Sequence, residues 1–236
     1  MNFPHYLTSI LSSCTAGALF AMATPPAALA ATLVTYEGGV AVGAANFDPS
    51  AVPANLTATP ISQPATALLF TSILFTAPTY PGQGVVLQTT TIDATGGRAA
   101  GATPADSEYI VFTLSLDSGF QMSLDQFSFK AARGGGSAGR GYDLRSSLDD
   151  YQNTLATSNI ATQRSEGFSN ISVTLGTEFD NLEAPVTFRI YVYSTGTGSS
   201  IEFDDITVDG SVAVVPEPAS GLLGLLALGG LLRRRR

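Results

Sequence analysis

Carboxylates are the residues of this chain best suited to chemistry. Asp149-Asp150 and Glu202 with Asp204 place acids close together, and glycoside hydrolysis needs only an acid and a base or nucleophile. Neither pair has a distinguishing context and adjacent acids on exposed turns are common, so a carboxylate-based glycoside hydrolase stands as an alternative only. His5 and Cys14 are single residues of their kinds. Both fall in residues 1–30, whose expected removal leaves no histidine triad, thiol nucleophile or ordinary zinc site. Asp204-Asp205 lacks the ligand spacing of an EF-hand. Calcium is still the cofactor that strand-edge carboxylates and loop carbonyls would suit. Tyr142 and Tyr151 flank an acidic stretch and are the candidates for stacking on sugar rings; caps over the core are the plainer reading. The glycine-rich run 133–141 lacks the Gly-Lys-Ser/Thr ending of a phosphate loop and reads as a flexible turn.

The elements that must position these groups read as strands. Short β-favouring runs occur at 33–36, 67–75, 84–92, 108–116, 123–131, 167–175, 186–193 and 200–208, separated by Gly, Pro, Asn and Asp. That spacing predicts an all-β, antiparallel β-sandwich of jelly-roll type. Phe127 and Phe129 share one face of their strand, as do Val186, Phe188, Ile190 and Val192, with Tyr191 and Tyr193 opposite. The second parity is also apolar, which suits a strand in a sandwich interior or beneath a covering loop. Ile171, Val173 and Leu175 alternate with Ser172 and Thr174. The proline-bearing stretch 44–64 reads as a long loop or a partly ordered excursion. All 19 acids but Glu217 lie in 31–215, against seven of the 11 basic residues, so the net charge of −8 understates the acidity of this region. Such a surface repels polyphosphate and excludes nucleic acid as a partner.

The two ends differ in kind. Residues 1–30 carry no Asp, Glu, Lys or Arg; an apolar run is followed by Pro25-Pro26 and Ala28-Leu29-Ala30. This predicts a signal peptide, 1–30, handled by a Sec-type translocon and signal peptidase and cut after Ala30. At the other end Pro216-Glu217-Pro218 precedes a Gly/Leu-rich segment, 219–232, and then Arg233, Arg234, Arg235 and Arg236. Fourteen helical residues span roughly 20 Å, short of the roughly 30 Å hydrocarbon core. The arginines would act as a membrane stop.

This order of motif, apolar helix and basic tail resembles the PEP-CTERM sorting signal of Gram-negative bacteria, covering 212–236. The resemblance implies a transient inner-membrane stage and processing by an exosortase-type transpeptidase. Delivery to the outer surface or extracellular matrix would follow. The region 31–211, through residues 127–151, 188–193 and 203–210, resembles jelly-roll domains found before such tails, which are similar to carbohydrate-binding modules. That second resemblance implies Glu37, Asp204 and Asp205 as ligands of a structural calcium ion. The expected architecture is therefore a sandwich flanked by an N-terminal signal helix and a C-terminal hydrophobic sorting helix. The expected function is a noncatalytic surface or biofilm-matrix protein associated with exopolysaccharide; the alternative is a calcium-stabilised carbohydrate-binding module.

Overall fold

A computed structural model describes residues 31–37, 47–63, 72–76, 86–92, 109–134, 139–194 and 199–215. They form two antiparallel sheets. One has the order β3 (Ser72–Thr76), β4 (Val86–Ile92), β11 (Ser199–Val214), β6 (Phe120–Gly134), β9 (Ser169–Thr174), with β1 (Ala31–Tyr36) also paired to β11. The other has the order β2 (Leu56–Ala58), β5 (Tyr109–Leu116), β10 (Val186–Ser194), β7 (Arg140–Ser146), β8 (Ala156–Asn159).

Period-two alternation builds the core between them. Ile110, Phe112 and Leu114 of β5 join Phe188, Ile190 and Val192 of β10, and Phe127 and Phe129 of β6 meet them from the opposite sheet. Phe127 lies 5.9 Å from Phe112 and 5.2 Å from Phe188, ring centre to ring centre. Each such fully buried ring contributes about 1.5–3 kcal/mol of transfer free energy, and tilted or offset aromatic pairs add to it.

In β11, Ile201 and Phe203 are buried, and so are Ile206 and Val208, two pairs of opposite parity. A register shift between Asp204 and Thr207 reconciles them, with Asp205 at φ 47°. The extra residue of this bulge returns the apolar side chains to the core face, which a regular strand would have turned to solvent.

The sandwich was expected; its flanking helices require correction. Among the described residues the only helical turns are two 3-10 segments, Ser147–Asp149 and Thr177–Phe179, and no helix there is long and apolar enough to cross a membrane. The segments read as helices, 1–30 and 219–232, lie outside the described residues. Of the two readings of 44–64, the described part, 47–63, fits the partly ordered one. It contains β2, and Ser62 exchanges backbone hydrogen bonds with Val111 at 3.0 and 2.9 Å.

Candidate functional site

The parity that sends Phe188, Ile190 and Val192 inward sends Thr187, Arg189, Tyr191 and Tyr193 to the outer face of the five-stranded sheet. Register places Val111 beside Arg189 and Arg189 beside Arg145; in the next row Tyr109 lies beside Tyr191 and Tyr191 beside Asp143. This face is largely covered. Tyr109, Asp143, Arg145, Tyr191 and Tyr193 are all buried.

The cover includes the connection from β7 to β8. Arg145 donates from Nε and Nη2 to Asp143 Oδ2, at 3.2 and 2.9 Å, and from Nη1 to the carbonyls of Tyr151 and Gln152, at 2.8 and 3.3 Å. One side chain thus neutralises a buried acid and fastens the loop. The loop in turn places the Tyr151 ring over Arg189, whose guanidinium carbon is 3.6 Å from that ring centre and 4.3 Å from that of Tyr109. Arg189 Nη1 donates to Tyr191 Oη at 3.1 Å. Burial lowers its proton affinity, but the hydrogen bond to Tyr191 and the neighbouring Tyr191, Tyr151 and Tyr109 outweigh it and hold the guanidinium above its ordinary value. Burial pushes the Tyr191 phenol up, so it stays a neutral donor and acceptor at physiological pH.

Tyr193 crosses β7 at Gly141, reaching the Ser158 carbonyl with its hydroxyl at 2.9 Å. A side chain at Gly141 would collide with that ring and with the Ser158 carbonyl. At the other end of the face the cover thins. Val111, Thr113, Thr187 and Arg189 are half-buried, Thr113 and Thr187 hydroxyls bond at 2.8 Å, and a hollow of about 350 Å³ is lined by Thr59, Pro60, Ser62, Val111, Phe112 and Thr113.

The acids proposed from the sequence lie elsewhere. Asp204 faces Lys130 across the strands, and Lys130 is ion-paired with Asp205. Burial, with the charges of Asp205 and then Glu37, holds the Asp204 carboxyl above its ordinary value although the Asp205 amide donates to it. Glu37, Asp204 and Asp205 therefore share one neighbourhood. Yet among the described residues no three acidic, histidine or cysteine side chains are arranged to hold a metal ion, so no chemistry is derived through calcium. Glu202 is buried against Arg164 at 2.8 Å. Asp149 receives the Asn153 amide at 2.8 Å. Each of these acids is engaged within the fold. Of the two tyrosines, Tyr142 lies inside the core, edge-on to Phe129 at 5.0 Å, and Tyr151 lies on the candidate face. Tyr191 was placed on this parity from the sequence; Arg189, Tyr109 and Asp143 were not singled out. The alternation Tyr142-Asp143-Leu144-Arg145 was the available signal.

No family model matches the chain, and no curated protein matches it. Solved structures of low identity are similar to the chain over much of its length. The K3 cleaved adhesin domain of Lys-gingipain from Porphyromonas gingivalis is 12% identical, with 76% of this chain and 98% of that one covered and a TM-score of 0.40. The family 29 carbohydrate-binding module CBM29_1 from Piromyces equi is 12% identical, covering 77% and 91%, TM-score 0.37. TmCBM61 in complex with β-1,4-galactotriose is 11% identical, covering 67% and 90%, TM-score 0.36.

The sorting-signal identification is corrected. No family model supports it, no membrane-length helix occurs among the described residues, and the 14-residue apolar stretch is too short for a full span. Pro216, Glu217, Pro218 and Arg233 to Arg236 lie outside the described residues. The exosortase-type partner, the inner-membrane stage and the reading as a C-terminally processed matrix protein of a Gram-negative bacterium are withdrawn with it.

Proposed function

We propose that the protein is a noncatalytic carbohydrate-binding module whose ligand lies on the outer face of the five-stranded sheet. The observation that supports this is the strip running from the hollow beside β5, over Thr113 and Thr187, to Arg189 beneath Tyr151. A saccharide needs flat apolar surface for its C–H faces and mixed donors and acceptors for its hydroxyls. The strip supplies tyrosine rings, threonine hydroxyls and a guanidinium together. Its hollow falls within the roughly 300–1,000 Å³ of small-ligand sites. Of the acids weighed for hydrolysis, Glu202 is ion-paired with Arg164, and Asp149 accepts the Asn153 amide within the β7–β8 connection.

Affinity electrophoresis through gels containing xylan, mannan or galactan tests the reading. At least one of these neutral polysaccharides retards the wild-type chain, and Arg189→Ala abolishes most of the retardation while leaving the thermal midpoint within a few degrees. A folded protein retarded by none of them, or an Arg189→Ala variant retarded as strongly as wild type, overturns it.

A further inference from the structure

Two buried polar atoms on the candidate face have no hydrogen-bond partner: Asp143 Oδ1 and Arg189 Nε. Asp143 as a whole is only 2% exposed, and its other oxygen is taken by Arg145. Among the described residues Arg189 meets no carboxylate; its contacts are the Tyr109 and Tyr151 rings and the Tyr191 hydroxyl. The two orphans lie in adjacent rows of one face, since Arg189 is opposite Arg145 and Asp143 opposite Tyr191. One is an acceptor and the other a donor.

We propose that these atoms mark a closed sugar position, read by Asp143 and Arg189 and covered by the Tyr151 ring; this rests on the carbohydrate-binding reading above. A hydroxyl both donates and accepts, so the hydroxyls of a neutral sugar satisfy both atoms at once. A uronate carboxylate only accepts. It would serve Arg189 but offer no donor to Asp143 Oδ1, which would stay buried without a partner. An ammonium group only donates and would be repelled by Arg145 and Arg189. The ligand class is therefore an uncharged pyranose with neighbouring hydroxyls.

Tyr151 is built as a movable cover. Asp150 and Tyr151 both take left-handed backbone, at φ 56° and 60°, an arrangement non-glycine residues adopt mainly where surroundings enforce it. Arg145 grips the Tyr151 carbonyl, so the backbone stays while the ring rotates about its side-chain torsions. Tyr109 remains against the other side of Arg189 and keeps the guanidinium in place.

Calorimetric titration of the full chain with neutral xylo-, manno- and galacto-oligosaccharides and with oligogalacturonate tests this. The cover makes the competent state a minor one, so Tyr151→Ala binds the neutral ligand about tenfold more tightly. Adding Arg189→Met removes that gain. In the wild type, saturating neutral ligand moves the Arg189 Nε–H resonance downfield as it gains an acceptor. Neutral binding with no gain in a folded Tyr151→Ala variant, or with an unmoved Arg189 Nε–H, overturns the closed position and leaves the open strip as the site. Tighter binding of oligogalacturonate overturns the ligand class. Binding of no saccharide by either protein removes both readings. Should Tyr151→Ala fail to fold, the wild-type Arg189 Nε–H resonance decides alone.

Discussion

Arg145→Met is the substitution for which the structure gives the firmest magnitude. Arg145 is 6% exposed and Asp143 2%. The substitution keeps the apolar stem but removes both bonds to Asp143 and both bonds to the Tyr151 and Gln152 carbonyls. Breaking a buried ion pair from one side costs about 3–5 kcal/mol, because the remaining charge stays desolvated. For a domain of this size each kcal/mol lowers the midpoint by roughly 2–4 °C, so the expected fall is roughly 6–20 °C. Thermal unfolding followed by circular dichroism near pH 7 measures it. Converting the partner as well, in Arg145→Met with Asp143→Leu, recovers much of the loss, since an apolar pair has no stranded charge. A fall below about 2 °C for Arg145→Met, or a double variant worse than the single one, would refute the claim that a desolvated pair fastens the β7–β8 loop.

Two further perturbations test other parts of the fold. Asp204 has a folded-state proton affinity above the ordinary one, so the native state binds more protons than the unfolded state in that window, and stability falls as pH rises through it. Asp204→Asn retains an acceptor for the Asp205 amide; it raises the urea midpoint near pH 7, and the gain vanishes below the ordinary aspartate range, near about pH 3. A gain independent of pH would contradict this assignment. Gly141→Ala should cost about 3 kcal/mol by forcing Tyr193 and the β8 backbone aside. Gly119→Ala, at φ 87° with open space around it, should cost only about 1–2 kcal/mol of backbone strain. Equal losses in denaturant titrations would show that Gly141 is not needed for the close approach.

Strands whose buried face is a run of large apolar residues were legible in the sequence. The alternation at 186–193 matches β10 closely in extent, and that at 171–175 overlaps β9 with its ends displaced by one or two residues; in both the apolar parity faces the core. For β7 a short helix and a strand with a loop stayed open, because Gly141, Asp143 and Arg145 at its outer positions give no apolar alternation. All seven of its residues are nonetheless buried, Asp143 and Arg145 as a pair. β2 and β8 have three and four residues and too few apolar positions to show a period. At the candidate site Tyr191 was legible by its parity, and Tyr151 as an aromatic near an acidic stretch. Its role depends on Arg189, which is 38 positions away in sequence and reaches it only through the pairing of β7 with β10. The terminal motifs were prominent in the sequence because their composition is extreme, and both lie outside the described residues.

The placement of β11 fixes the order in which the six-stranded sheet can assemble. On one side it pairs with β6 along most of its length; on the other it pairs with β4 up to Phe203 and with β1 from Ile206. The first strand, with Ala31 opposite Gly210, thus waits for the last. During synthesis β1, β4 and β6 emerge without the neighbour that joins them, and loop closure over almost the whole domain must precede their pairing. A chain released before residue 199 would carry three strands with open edges, a form suited to association with other chains rather than to folding.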